Sequence, residues 1–171
     1  MASPNYFKRR RSEIMDQTNE IVNELQTFLG KNLIELKNPR ARRVFLRVEK
    51  DFLRDTLTHL VKEMNITHLS TITGIDLGQE IELLYHFSSK GSIMITVGIK
   101  VPKDNPAMRT ITDVVPGSVL YEREIHEVLG VDFEGHPNLL PLILPEGWPQ
   151  GVYPLRKDQK FEDLRKIESG K

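Results

Sequence analysis

The chain has 171 residues, 39% hydrophobic and 28% charged, with 24 basic against 24 acidic side chains. That is the size of one domain with a substantial core and no global pull towards polyanions. The absence of cysteine excludes disulfides, iron–sulfur clusters, thiolate zinc sites and cysteine nucleophiles on this chain. No apolar run reaches membrane-span length and no signal-peptide pattern opens the sequence, so a cytosolic protein, or one held on a membrane by a partner, is expected. Zero net charge gives no repulsion to keep a free monomer soluble, which fits life inside a complex.

In chain order, residues 1–11 read as a loose basic arm carrying Lys8, Arg9, Arg10 and Arg11. Such a cluster is a solvated or protein-docking arm, or touches phosphate or anionic headgroups. Ser12 is a good N-cap and Gly30 a good stop. Between them Ile14, Ile21, Val22, Leu25, Phe28 and Leu29 recur at helical spacing. Val44, Leu46 and Val48 alternate with Phe45, Arg47 and Glu49 as in a strand. Leu53, Leu57, Leu60, Val61 and Met64 form the stripe of a second helix. A strand is expected around residues 68–75, with Gly74 at a bulge or end. Ile81, Leu83, Tyr85 and Phe87, then Ile93, Ile95, Val97, Ile99 and Val101, alternate about a Ser89-Lys90-Gly91 turn and predict a hairpin. A short edge strand over 108–112 and a helix over 118–129, stopped by Gly130, follow. Five prolines and little periodicity after Gly130 predict an extended tail with turns. The order implies an α+β fold: one mixed or antiparallel sheet with helices on one face, followed by an irregular C-terminal tail. The organisation is an arm over 1–11, an α+β domain over 12–115, and a helix with a partner-docking tail over 116–171.

The informative stretch is residues 122–158, EREIHEVLGVDFEGHPNLLPLILPEGWPQGVYPLRKD. An aperiodic ordered segment needs a surface to lie on. Glu122 and His126, four apart, share a helix face, and with His136 they are the candidate metal ligands. A helix and a loop ten residues on make a loose ligand set, and hydrogen-bonding roles fit better. Glu122 and Glu124 point about 200° apart on a helix, so they do not form a catalytic pair, and Arg123 between them reads as a planar fork bridging elements. Pro154 holds the chain extended, Leu155 enters a pocket and Arg156 clamps a carboxylate. Trp148 either anchors in a partner or pins the tail to its own domain. No phosphate loop, dinucleotide fingerprint or Ser-His-Asp order appears, so an interaction subunit fits the residues better than an enzyme.

Glu122-Arg123-Glu124, Gly130-Val131, Phe133, Gly135-His136-Pro137, Leu139 and Pro154-Leu155-Arg156-Lys157-Asp158 resemble the thirty-kilodalton subunit family of respiratory complex I. The likeness covers about a fifth of the chain, with its spaced elements in order. NADH-dehydrogenase members usually have an aromatic at His126, Asp at Glu127, and Asp-Leu-Arg-Arg where this chain has Asn138-Leu139-Leu140-Pro141. The pattern is more similar to the small subunit of membrane-bound nickel–iron hydrogenases and related sulfur-reducing complexes. The resemblance implies a subunit with no catalytic, cofactor or metal site of its own, peripheral on the cytoplasmic face of the membrane. It implies that Glu122, Arg123 and Glu124 orient the helix, His126 is a further partner-binding or structural residue, Gly130 turns after the helix, and His136 and Pro137 shape the tail. Leu155, Arg156, Lys157 and Asp158 then dock on a large hydrogenase-like catalytic subunit, with Trp148 and Pro154 as partner-binding or structural residues of the same tail. That partner holds the nickel–iron site or its vestige, a neighbouring small subunit holds iron–sulfur clusters, and membrane subunits translocate ions. The corresponding thirty-kilodalton subunit of an NADH/quinone-type complex I, or of a sulfur-reducing relative, is the alternative. A free-standing binding module using the basic arm is the alternative from another class; the leading reading has no nucleic-acid partner.

Overall fold

The computed structural model describes residues 4–89 and 93–168, and of residues 4–11, 166 and 168 only the backbone. The elements are α1 (Pro4–Leu29), β1 (Leu33–Arg40), β2 (Arg43–Val48), α2 (Leu53–Lys62), β3 (His68–Asp76), β4 (Glu80–Ser88) and β5 (Met94–Pro102), then β6 (Ala107–Arg109), α3 (Val119–Leu129), β7 (Asp132–Glu134) and α4 (Phe161–Glu168). Five strands hydrogen-bond in the order β1-β2-β5-β4-β3. β1 and β2 pair antiparallel, β2 and β5 parallel, so the sheet is mixed as the α+β reading expects. Among the described residues no helix is long and apolar enough to cross a membrane. The chain divides into two compact units, Met1–Ser70 with Leu84–Ile99, and Thr71–Leu83 with Lys100–Lys171.

In the first unit, period-two alternation buries one strand face completely. Leu46, Tyr85, Phe87, Ile95 and Val97 are inaccessible to solvent, as are Leu25 of α1 and Leu57 and Leu60 of α2. The Phe28 ring of α1 stacks on His59 of α2 at 3.9 Å, nearly parallel. Two features depart from expectation. The helix begins at Pro4, so residues 4–11 continue it and are not a loose arm; residues 1–3 lie outside the described residues. Strand β1 was not apparent in the sequence, because Glu35, Lys37, Asn38 and Pro39 break the alternation of a half-exposed edge strand. The β4–β5 hairpin closes with the Ser89 N–H on the Ile93 carbonyl at 2.9 Å, while Lys90 and Gly91 of the expected turn lie outside the described residues.

In the second unit the core is Ile81, Leu83, Val101, Ile111, Val131, Phe133 and Leu129, all at most 1% exposed. Gly74 has a packing role. A Cβ there would lie 2.3 Å from Leu129 Cδ1 and 2.9 Å from Ile125 Cδ1, so its missing side chain lets α3 rest on β3. The edge strand is Ala107–Arg109 and pairs in parallel with β7 as a separate two-stranded ribbon. Three residues per strand are too few to show a period. After β7 the tail descends through single turns, with N–H to carbonyl bonds from Trp148 to Pro145, Val152 to Pro149 and Arg156 to Tyr153. It ends in the short helix α4, which the sequence pattern did not reveal.

Candidate functional site

A single 3-10 turn opened by Pro116, whose ring suits a first helical turn, leads into helix α3, which is closed by Gly130 at φ +74°. Its Glu122 is fully buried. The carboxylate accepts the Ile111 N–H at 2.9 Å and the Thr110 hydroxyl at 2.5 Å, tying α3 to the segment after β6. Burial raises the Glu122 carboxyl above the usual range; the bonds from Thr110 and Ile111 pull the other way and reduce the rise without cancelling it. His136 stands 4.0 Å from the same carboxylate, with its side chain fully buried. Its Nε2 donates to the Val119 carbonyl at 3.1 Å and its Nδ1 accepts the Asn138 N–H at 3.0 Å. Those two bonds require a neutral ring with the proton on Nε2. The His126 Nδ1–H donates to the Val131 carbonyl at 2.8 Å and fixes the turn that Gly130 makes.

Arg123 and Glu127, four residues apart on one face of α3, grip the tail by its backbone. Arg123 donates from Nε to the Leu140 carbonyl at 2.9 Å and from Nη2 to the Pro141 carbonyl at 2.7 Å. Glu127 accepts the N–H groups of Leu142, Ile143 and Leu144 at 3.1, 2.7 and 2.9 Å. A cation on carbonyls and an anion on amides use both polarities of one peptide segment. These charge-assisted bonds hold a stretch that has no ladder of its own. The side chains of that stretch are left pointing outward: Leu140, Leu142 and Ile143 are 64%, 41% and 56% exposed.

Further along, the tail closes the C-terminal end of α3. The Leu155 N–H bonds the Val128 carbonyl at 3.1 Å and Arg156 Nε bonds the Leu129 carbonyl at 2.7 Å, satisfying two carbonyls that a helix end leaves open. Tyr153 lies between Gly130 and the Arg156 guanidinium, which sits 4.4 Å from the ring centroid. A Cβ on Gly130 would come within 2.4 Å of the ring. Asp76 then receives the Lys157 N–H at 2.8 Å, the Gly78 N–H at 2.7 Å and the Lys103 ammonium at 2.7 Å. Burial alone would raise its carboxyl; Lys103 and the two amides outweigh that and hold it at about 2. Lys103 also reaches Asp158 at 3.2 Å. Leu155 itself remains 62% exposed.

The structure therefore gathers most of the predicted residues on α3 and the tail laid along it. Arg156 turns its Nε inward, and its terminal nitrogens make no hydrogen bond among the described residues. Lys157 engages through its backbone with its side chain exposed, and Glu124 and Pro137 are exposed. The indole of Trp148 donates to Val152 at 2.8 Å, so its N–H pins its own tail. Glu122, His126 and His136 are occupied by hydrogen bonds, and among the described residues no three His, Asp or Glu side chains converge on a metal position. Glu127, Tyr153, Asp76 and Lys103 were missed. The spacing of Glu127 from Arg123 was a usable signal. Asp76 and Lys103 come from distant strand ends and left none.

The family model described as "Respiratory-chain NADH dehydrogenase, 30 Kd subunit" matches residues 46–164. Membrane-bound hydrogenase subunit beta of Pyrococcus furiosus is 30% identical over 153 residues, covering 85% of this chain and 88% of that one. A subunit of the F(420)H(2) dehydrogenase of Methanosarcina mazei is 33% identical over 119 residues, covering 68% and 75%. Among solved structures, a chain of the membrane-bound sulfane sulfur reductase, an archaeal respiratory membrane complex, superposes with a TM-score of 0.79 at 32% identity, covering 91% of this chain and 92% of that one.

Proposed function

The chain belongs to the respiratory-chain NADH dehydrogenase 30 Kd subunit family, and on that premise we propose that it is a non-catalytic assembly subunit of a membrane-bound, hydrogenase-type oxidoreductase complex. Its relatives by name are subunits of membrane-bound hydrogenase and F(420)H(2) dehydrogenase. In this reading the chain braces a large catalytic subunit while electrons pass through partner subunits and membrane subunits move ions. It lies peripherally at the cytoplasmic face, held by those partners. With no cysteine it has no thiolate to bind nickel, iron or an iron–sulfur cluster, so those centres belong to its partners. Whether the acceptor is a proton, a sulfur compound or a quinone is set there too.

The observation that carries the proposal is the tail's division of labour. Its backbone is tied down by Arg123, Glu127 and Asp76, while Leu140, Leu142, Ile143 and Leu155 face outward. Apolar side chains on a fixed backbone form a preorganised contact surface, which limits the ordering cost of binding. The test is affinity purification of the tagged chain from membranes in mild detergent, with partners identified by mass spectrometry and metals quantified. Recovery with a large subunit that has paired Cys-x-x-Cys motifs, plus nickel and iron, is expected. A chain recovered alone refutes the assembly reading.

A further inference from the structure

The turn joining β1 to β2 carries Arg40, Arg42 and Arg43, all exposed. None has an acidic partner among the described residues; the Arg43 guanidinium rests on the Met94 sulfur. The turn's carbonyls are all taken. In its hydrogen-bonding orientation the Asn38 amide donates to Arg40 and Arg43 at 2.7 and 3.1 Å. The Thr18 hydroxyl reaches Ala41 at 2.5 Å, and the Met94 N–H bonds Arg42 at 2.9 Å. The surface therefore offers guanidinium donors with few competing acceptors. A broad groove of about 710 Å³ opens here, lined by residues 40–43, Ser88, Ser89 and Met94. The field is positive enough that, after burial, the Arg43 charge further lowers the His86 imidazole. Thr18 also places α1 against this turn. Lys8, Arg9, Arg10 and Arg11 stand on the same helix about 10–15 Å along its axis, directly after Tyr6 and Phe7.

We propose that this three-arginine surface of the β1–β2 turn is a contact site for an anionic phospholipid membrane. Guanidinium groups match phosphate oxygens. A run of basic residues with adjoining aromatics is the composition of a segment at the headgroup layer. The choice of a membrane over other polyanions rests on the reading of the chain as part of a membrane complex, whereas the cationic surface does not.

The full chain is tested by co-sedimentation with phosphatidylglycerol and with phosphatidylcholine vesicles. Binding to the anionic vesicles alone, falling with salt, is expected. Each basic residue at such a surface contributes about five-fold, so R40A/R42A/R43A is expected to weaken partitioning roughly a hundredfold. R40K/R42K/R43K keeps most of the binding and shows that charge, not folding, was lost. Equal binding to both vesicles overturns the proposal, as does tighter binding to duplex DNA than to lipid. Full competition by inorganic phosphate would reveal a small-anion pocket and also overturns it. If the alanine variant binds vesicles normally but loses its partner subunits on purification, the surface is a protein interface. Partner recovery unchanged by the variant leaves the assembly reading standing whatever the vesicles show.

Discussion

Replacing Gly130 with alanine perturbs the point where helix, turn and tail meet. The residue sits at φ +74°, where a Cβ costs about 1–2 kcal/mol. The same Cβ would lie 2.4 Å from two ring atoms of Tyr153, so the ring has to move. Displacement forfeits the stacking of Arg156, about 0.5–1 kcal/mol, and strains the Leu155 bond to Val128, about 1 kcal/mol. The total is about 3 kcal/mol, which in a chain of this size lowers the melting temperature by roughly 6–12 °C. Urea denaturation of G130A, Y153A and the double variant separates the parts. In the Y153A background only the backbone cost remains, so a coupling of about 1–2 kcal/mol between the two sites is expected. Limited proteolysis of G130A should cut within residues 145–158 before the rest of the chain. A coupling near zero, or a tail as resistant as wild type, refutes the reasoning that Gly130 exists to seat Tyr153.

Three further outcomes follow from the same geometry. Glu127→Ala removes the acceptor of three tail amides. Because the segment is exposed, the global stability loss should be about 1 kcal/mol or less, while amide exchange of Leu142, Ile143 and Leu144 rises strongly. The Asp76 carboxyl falls from 3.8 to about 2 on folding. A lowered folded value gives stability that is present above pH 3.8 and lost as pH falls through about 2. Its worth is about 2 kcal/mol at neutral pH, so D76N should lower the urea midpoint at pH 7 and flatten its decline below pH 4. Glu122 shifts the other way, so its contribution is present at acid pH and lost as pH rises. E122Q should gain on wild type as pH rises, whereas E122A should lose about 2 kcal/mol by leaving the buried Ile111 N–H unpaired and removing the acceptor of the Thr110 hydroxyl, which keeps its bonds to Thr112; urea midpoints across pH check both.

What was legible in the chain follows from how local each cause is. The alternation through Ile81–Phe87 and Ile93–Val101 states its hairpin because one sheet face is wholly buried. Ser118 to Gly130 states its helix because stop and stripe lie within a dozen residues. β1 carries polar residues on both faces of an edge, and β6 and β7 are too short to have a period. The tail is where sequence reasoning came nearest to the site and still missed half of it. Arg123 as a bridging fork was visible from its type. Glu127 as its counterpart was hidden because its three partners are backbone amides, which any residue supplies. Asp76 receives Lys157 from 81 positions away, a distance no pattern encodes. His126, Glu127 and the Asn138-Leu139-Leu140-Pro141 run, where the chain departs from the NADH-dehydrogenase pattern, all lie in the α3–tail assembly: His126 fixes the Gly130 turn and Glu127 holds the amides that follow the run.

The central claim is that the fastened tail presents Leu142, Ile143 and Leu155 to a large partner subunit. The most direct measurement is affinity recovery of that subunit by wild type and by L142D/I143D/L155D, alongside urea melts of both free chains. These side chains are 41–62% exposed in the free chain, so the melts should coincide within about 1 kcal/mol. Burying each in an interface contributes about 1.5–3 kcal/mol, so recovery by the variant should vanish. Equal recovery with coincident melts would contradict the account and place the partner contact elsewhere on the chain.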